Sequence, residues 1–259
     1  MVHLKVEKIK KMANNKYKIV FENGNTITTY DEVLLKNNIL FHKEIDGEML
    51  NKIEQEEEYY TLYNTIVKYM KRCIRSKKEV IDYLERQEGS KQDKDKIIKT
   101  LEEKGFINDE VFCESFISDK FYLSHFGPLK IRKELENHLI DETIISKYLS
   151  KLSDTEIYDT LYKMVEKKIC LDHKHARGVL KQKLISYFLE KGFEGEMIAQ
   201  IFDELYKEDR SILYKEYESI KHKLERKYTG KDLEYHIIQK LYQKGFLKEQ
   251  IDKIKEESD

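Results

Sequence analysis

Gly127-Pro128-Leu129-Lys130-Ile131-Arg132-Lys133-Glu134-Leu135 decides the fold. Proline holds φ near the helical value and lacks the N–H that a first helical position would leave unpaired, so Gly127-Pro128 predicts a helix start. Ile131, Leu135 and Leu139 recur at four-residue spacing and are expected to share one face. Lys130 and Lys133 point away from that face, and Arg132 sits on its flank. Pro128 is the one proline among 259 residues, and glycine occurs ten times, which argues against sandwiches and barrels and for long helices.

The same helix pattern returns around a shared turn. Lys104-Gly105-Phe106, Lys191-Gly192-Phe193 and Lys244-Gly245-Phe246 each close an apolar periodic segment. The glycine suits the left-handed position after a helix, the lysine faces the negative end of the helix dipole, and the phenylalanine is expected to fold back onto the core. Leu101 and Ile97, Phe188 and Leu184, and Leu241 and Ile237 precede the three glycines at the same spacing. Val111, Ile198 and Ile251 follow them, so a new helix is expected after each turn. The opening stretch reads as a divergent copy with His138-Leu139 at its turn. It carries Arg132 where the other copies carry Ile98, Ile185 and Ile238. A helix-only repeat of about 45–55 residues predicts tandem three-helix modules, each burying a face against its neighbour. The expected division is 74–125, 126–170 and 171–228, a partial fourth module at 229–259, and a long linking helix at 46–73.

Residues 1–45 differ. Tyr17–Phe21 and Thr26–Tyr30 are rich in β-branched and aromatic residues, and Glu22-Asn23-Gly24-Asn25 between them is a hairpin signal. With a second turn at Asn14-Asn15, the reading is a small three-stranded antiparallel sheet. A short helix from Asp31 to Lys36 and an extended piece at Phe41–Ile45 follow. The fold class is therefore mainly α: tandem three-helix repeats with a small N-terminal antiparallel β-sheet. Ser76-Lys77-Lys78-Glu79 and Ser153-Asp154-Thr155-Glu156 are capping boxes, and Thr229-Gly230-Lys231-Asp232 is a weaker one. The acidic run Glu54–Glu58 reads as a solvated helix face.

Lys and Arg number 48 against 49 Asp and Glu, so the net charge of -1 does not announce a nucleic-acid binder. Basic residues nevertheless gather near the module starts, Lys68 and Lys71 before the first, and Lys163, Lys167, Lys168 and Lys174 before the third. The contact candidates are Arg72, Arg75, Lys77 and Lys78, then Lys130, Arg132 and Lys133, then Arg177, Lys181 and Lys183. Arg132 either pairs internally, with Glu136 as the nearest carboxylate, or offers an exposed forked donor. Cys73, Cys113 and Cys170 form no Cys-x-x-Cys and read as buried reduced thiols of a cytoplasmic protein. No apolar run reaches the length of a membrane span. There is no G-x-x-x-x-G-K-[ST] loop. Asp172-His173-Lys174-His175 is read as a surface feature, because His-x-His at a helix start aims the two rings apart. No catalytic residue, cofactor or metal is expected.

Four stretches, in order and spacing, carry a resemblance: Arg75-Ser76-Lys77-Lys78-Glu79-Val80, Lys104-Gly105-Phe106-Ile107-Asn108-Asp109-Glu110-Val111-Phe112, Gly127 to Leu135, and Lys191-Gly192-Phe193. Together they resemble the RecX family, bacterial regulators of the RecA recombinase. The resemblance spans about Tyr69–Leu205, and the fourth copy and N-terminal hairpin look like the longer Gram-positive forms. Leu139 departs from it, standing where the family has glycine. The resemblance implies tandem three-helix repeats that bind along the RecA–single-stranded DNA filament. It implies modulation, mainly inhibition, of ATP hydrolysis and strand exchange in recombinational DNA repair and the SOS response. The expected partners are RecA and its filament, with weak or indirect DNA binding by a cytoplasmic monomer and no membrane contact. The residues alone leave a second reading open, a non-enzymatic helical adaptor for another protein.

Overall fold

In the computed structural model, which describes residues 4–42, 44–172, 175–207 and 210–252, a four-stranded antiparallel sheet opens the chain and helices make up most of the remainder. Two units form, Met1–Phe112 and Cys113–Asp259.

In the first unit, strands β1 (Leu4–Lys11), β2 (Lys16–Phe21) and β3 (Thr26–Tyr30) are joined by the two expected turns. Asn14 and Asn15 at φ 58° and 57°, and Gly24 at φ 84°, supply the left-handed backbone those turns need. The sheet has one strand more than the sequence predicts. The segment after Phe41 returns as β4 (Glu44–Ile45) and pairs with β1, giving the order β3-β2-β1-β4.

Helix α1 (Asp31–Lys36) leads into α2 (Gly47–Met70), whose start is capped by Asp46 accepting from the Met49 N–H at 2.8 Å. Helix α2 serves two cores. Ile53 packs with Ile19, Phe21, Val33, Leu34, Ile39 and Ile45 of the sheet region. Leu62 and Ile66 pack with Val80 and Leu84 of α3 (Lys77–Glu85) and Ile97 and Leu101 of α4 (Lys91–Glu103). Each such side chain contributes about 1.5–3 kcal/mol through burial.

The acidic run is not simply a solvated face. Glu57 accepts from the Tyr30 N–H and from Lys16 at 3.1 Å, and Glu56 holds Lys36 at 2.6 Å and Asn37. Glu57 thus fastens α2 to the sheet, and Glu56 fastens it to the end of α1.

The division between units falls within α5 (Asp109–Ser118), which runs on into a π-helical turn at Asp119–Leu123. Then come α6 (Pro128–Asn137), α7 (Glu142–Leu149), α8 (Asp154–Leu171), α9 (Arg177–Glu190), α10 (Gly195–Leu205), α11 (Arg210–Leu224) and α12 (Gly230–Gln243). Residues 248–252 are again helical. One core joins Leu161 and Val165 of α8 to α9 and α10, and the next joins α11 to α12, Phe246 and Ile251.

Gly127 is the N-cap of α6 and Pro128 its first helical residue, with Ile131 and Leu135 fully buried. Leu139 does not join them. It takes the turn position at φ 59° and is 75% exposed.

The expected equivalence of the Lys-Gly-Phe turns holds for two of the three. Phe193 and Phe246 are buried, whereas Phe106 and Val111 are exposed. Burial identifies the true counterparts. Val80 and Leu84 of α3 follow the N-cap Ser76 as Ile131 and Leu135 follow Gly127, and as Leu180 and Leu184 follow Ala176. Thus α3, not α4, corresponds to α6 and α9, and Gly105 lies at a different junction. Counted from the cap, Arg132 corresponds to Ile81, Lys181 and Glu234.

Both serine capping boxes form, while Thr229 makes no side-chain cap. Cys73 and Cys170 are exposed and only Cys113 is buried, because the first two lie beyond or outside the apolar stripe of their helices.

Candidate functional site

The site grows from the way α6 begins. Its N-cap is glycine and offers no side-chain acceptor, so the first N–H groups of the helix need partners from elsewhere. The end of α9 supplies them. The Gly127 N–H donates to the Lys191 carbonyl at 2.7 Å, and the Leu129 N–H donates to the Gly192 carbonyl at 3.1 Å. The positive end of one helix dipole therefore meets the negative end of another.

The approach requires two glycines. A Cβ on Gly127 would lie 2.2 Å from the Gly192 oxygen, and one on Gly192 would lie 2.3 Å from the Lys130 nitrogen. Gly192 also has φ 89°, the left-handed turn expected from the sequence.

This contact places lysines from separate helices around shared rings. The Lys130 ammonium lies 3.9 Å from the centre of the Phe126 ring, and that of Lys191 lies 5.2 Å from the same ring. Lys191 also reaches Tyr187 at 5.8 Å, and Lys168 of α8 approaches the Tyr187 ring at 4.0 Å. Lys191 donates to the Ser124 carbonyl at 3.3 Å. Among the described residues, Lys130, Lys168 and Lys191 have no carboxylate within 4.0 Å. A ring face holds an ammonium in place without cancelling its charge. Lys120 also approaches Phe126, at 5.3 Å, but Glu134 at 2.6 Å neutralises it.

The other sequence candidates meet different surroundings. In the first unit, Arg75 pairs with Glu79 at 3.1 Å and stacks on Tyr69, and Lys77 reaches Glu102 of α4 at 2.6 Å. Lys78 flanks them on α3, and Arg72 is exposed just after α2.

In the second unit, Arg132 pairs with Glu142 of α7, not with Glu136, and donates to Ser146 at 3.2 Å. Glu142 lies across the turn on the face toward which the arginine extends. Ser146 and then Arg132 hold the Glu142 carboxyl below its usual range. Arg177 and Lys181 share Asp203 of α10 at 2.9 and 2.6 Å, and the two cations lower its carboxyl likewise. Lys183 contacts His175 Nε2 at 2.6 Å, and His175 Nδ1 meets Asp172 at the same distance. Lys133 is exposed, with no ion pair among the described residues. His173 and Lys174 lie outside the described residues.

Of the ten candidates, Lys130 alone belongs to the ring cluster. Lys168, Lys191, Phe126 and Tyr187 were not on the list. Phe126 immediately precedes Gly127-Pro128 and Lys191 immediately precedes Gly192, but no local pattern says that these two motifs touch.

No group of three or more His, Cys, Asp or Glu among the described residues has metal-binding geometry, and no described helix is long and apolar enough to cross a membrane. What the fold and surface define is a helical-repeat protein with an unneutralised cationic patch.

The comparisons specify the class further. Residues 108–149, covering α5 to α7, match the family model for the second three-helix domain of RecX. Regulatory protein RecX of Halalkalibacterium halodurans is 28% identical over 254 residues, covering 95% of this chain and 96% of its own. The RecX of Oceanobacillus iheyensis is 25% identical, covering 91% and 90%. A crystal structure of RecX from Lactobacillus salivarius superimposes with a TM-score of 0.52 at 26% identity, covering 58% of this chain and 97% of its own. A further RecX crystal structure, at 19% identity, shares the fold with a TM-score of 0.64 over 77% of this chain. Along nearly its whole length the chain is similar to regulatory RecX proteins.

Proposed function

We propose that this protein regulates RecA. It binds the RecA–single-stranded DNA filament and slows its ATP hydrolysis and strand exchange, as a non-enzymatic cytoplasmic monomer acting in recombinational repair and the SOS response. The observation that carries this reading is the similarity to regulatory RecX proteins along nearly the whole chain. The cationic patch supports it, since preorganised ammoniums suit phosphates or an acidic protein surface. Within the patch, Lys130, Lys168 and Lys191 are the principal contacts, with Lys133 beside them on α6. Arg132, Arg177 and Lys181, already matched to carboxylates, contribute less. Arg72, Arg75, Lys77, Lys78 and Lys183 are secondary contacts.

The test is co-sedimentation with RecA, with and without single-stranded DNA and a slowly hydrolysed ATP analogue. Retention on the filament, weakened at least about tenfold by Lys130→Ala with Lys191→Ala, is expected, as for two charge-assisted contacts of about 1 kcal/mol each or slightly less. No retention at any salt concentration would favour the helical adaptor with another partner.

A further inference from the structure

We propose that the Gly127–Gly192 contact is a docking joint that assembles the cationic patch, so that seating α6 on the end of α9 and occupying the patch with an anionic strand stabilise each other. The inference rests on the proposed function only for the identity of the anion, a single-stranded phosphodiester chain. The joint itself stands on geometry.

Three observations carry it. First, the contact is backbone to backbone. Two N–H···O bonds and two absent Cβ atoms bring α6 and the turn after α9 closer than side chains would allow. Second, the patch straddles the joint. Phe126 and Lys130 flank Gly127 on one side, and Lys191 precedes Gly192 on the other. Two unneutralised ammoniums over one ring repel each other, so the joint holds together charges that would otherwise separate. An anion between them removes that repulsion and must therefore favour the docked state.

Third, the arrangement recurs one repeat later in altered form. A Cβ on Gly245 would lie 2.5 Å from Cγ2 of Val179 and 3.7 Å from the Cβ of Ala176. Counted from the N-cap, Ala176 and Val179 correspond to Gly127 and Lys130. This second joint has an alanine and an apolar side chain in place of the glycine and the lysine. No backbone hydrogen bond from residues 176–178 to 244–245 occurs among the described residues. Docking through a turn glycine is thus general to these two joints, while the charge is particular to the first.

Gly127→Ala is the informative variant. Gly127 has φ -78°, which alanine adopts freely, and alanine caps α9 at the corresponding position. The substitution therefore challenges the joint and leaves the helix start unstrained. Gly192→Ala adds left-handed strain, and Gly105→Ala is its control, since Gly105 has φ 73° but nothing within 4 Å of an added Cβ.

The experiment follows amide exchange at Leu129, whose N–H crosses the joint, with and without oligodeoxythymidylate in low salt. Ile131, bonded within its own helix to the Gly127 carbonyl, is the internal reference. In the unaltered protein, the oligonucleotide should slow Leu129 exchange about tenfold or more. Gly127→Ala should speed exchange at Leu129 but not at Ile131, and should weaken oligonucleotide binding although Lys130 and Lys191 are both present. Lys130→Ala with Lys191→Ala should keep Leu129 protected yet gain nothing from the oligonucleotide.

Undiminished oligonucleotide binding by Gly127→Ala would overturn the proposal. So would Leu129 exchange indifferent to bound oligonucleotide, or no binding of oligonucleotide by the unaltered protein. RecA is absent from every arm, so failure here is separable from failure of the filament reading.

Discussion

Lys130 and Arg132 stand two residues apart on α6 and meet opposite electrostatic surroundings. Arg132 is matched by Glu142 and Ser146, and Lys130 only by a ring. An ion pair this exposed to solvent is screened and adds little stability, so Arg132→Ile should move the melting temperature by less than about 4 °C. It should also weaken filament binding less than Lys130→Ala does. A larger loss with Arg132→Ile, at equal stability, would return the arginine to the contact surface.

Asp203 offers a pH test at the same scale. Lys181 and Arg177 hold its carboxyl below the usual range, so folding favours the ionised form. That contribution is present above the ordinary carboxylate pKa and is lost as pH falls through the lowered value. Asp203→Asn should therefore melt slightly earlier at pH 7, with the gap closing as the pH falls below the ordinary carboxylate range. A gap that persists in acid would mean that lost packing, not lost charge, is responsible. At this scale the sequence was half legible. It exposed Gly127-Pro128 as a helix start, because proline acts locally. It did not pair Arg132 with Glu142, because that contact depends on how the intervening turn is shaped.

At the scale of elements, helix starts and turn glycines were readable because capping is a property of a few consecutive residues. Ser76-Glu79 and Ser153-Glu156 form their boxes, and Gly105, Gly192 and Gly245 are all left-handed. The phase of the repeat was less readable. Lys104-Gly105-Phe106 looks like the later turns, and only the burial of Val80 and Leu84 shows that α3 is the counterpart of α6.

Helix α2 was expected as a link, and its acidic run as a solvated face. Instead Met49, Leu50, Ile53 and Tyr60 pack against the sheet region, and Glu56 and Glu57 tie down Lys36, Asn37, Lys16 and Tyr30. Deleting residues 1–45 should therefore fray α2 from Gly47 toward Tyr60. The helical circular dichroism should fall by about four turns while the later helices remain. An unchanged helix signal would show that α2 does not depend on the sheet. Collapse of the whole signal would show that every repeat does.

At the scale of the whole molecule, a net charge of -1 conceals the cationic patch. Half of the predicted basic candidates in the second unit, Arg132, Arg177 and Lys181, are neutralised by carboxylates on the following helix, while rings hold Lys130, Lys168 and Lys191 without cancelling them. Composition counts charges and cannot tell which ones are paired. The helical fold was legible from proline scarcity and periodicity, whereas the patch required knowing that α6 docks on α9.

The most direct measurement of the central claim is the rate of ATP hydrolysis by RecA on single-stranded DNA, with this protein added well below the RecA concentration. The unaltered protein should slow turnover. Lys130→Ala with Lys168→Ala and Lys191→Ala, folded to the same melting temperature within a few degrees, should need at least about tenfold more protein for the same slowing. Unchanged RecA turnover across a full titration in low salt would contradict the assignment as a RecA regulator, and equal potency of the triple variant would contradict the patch.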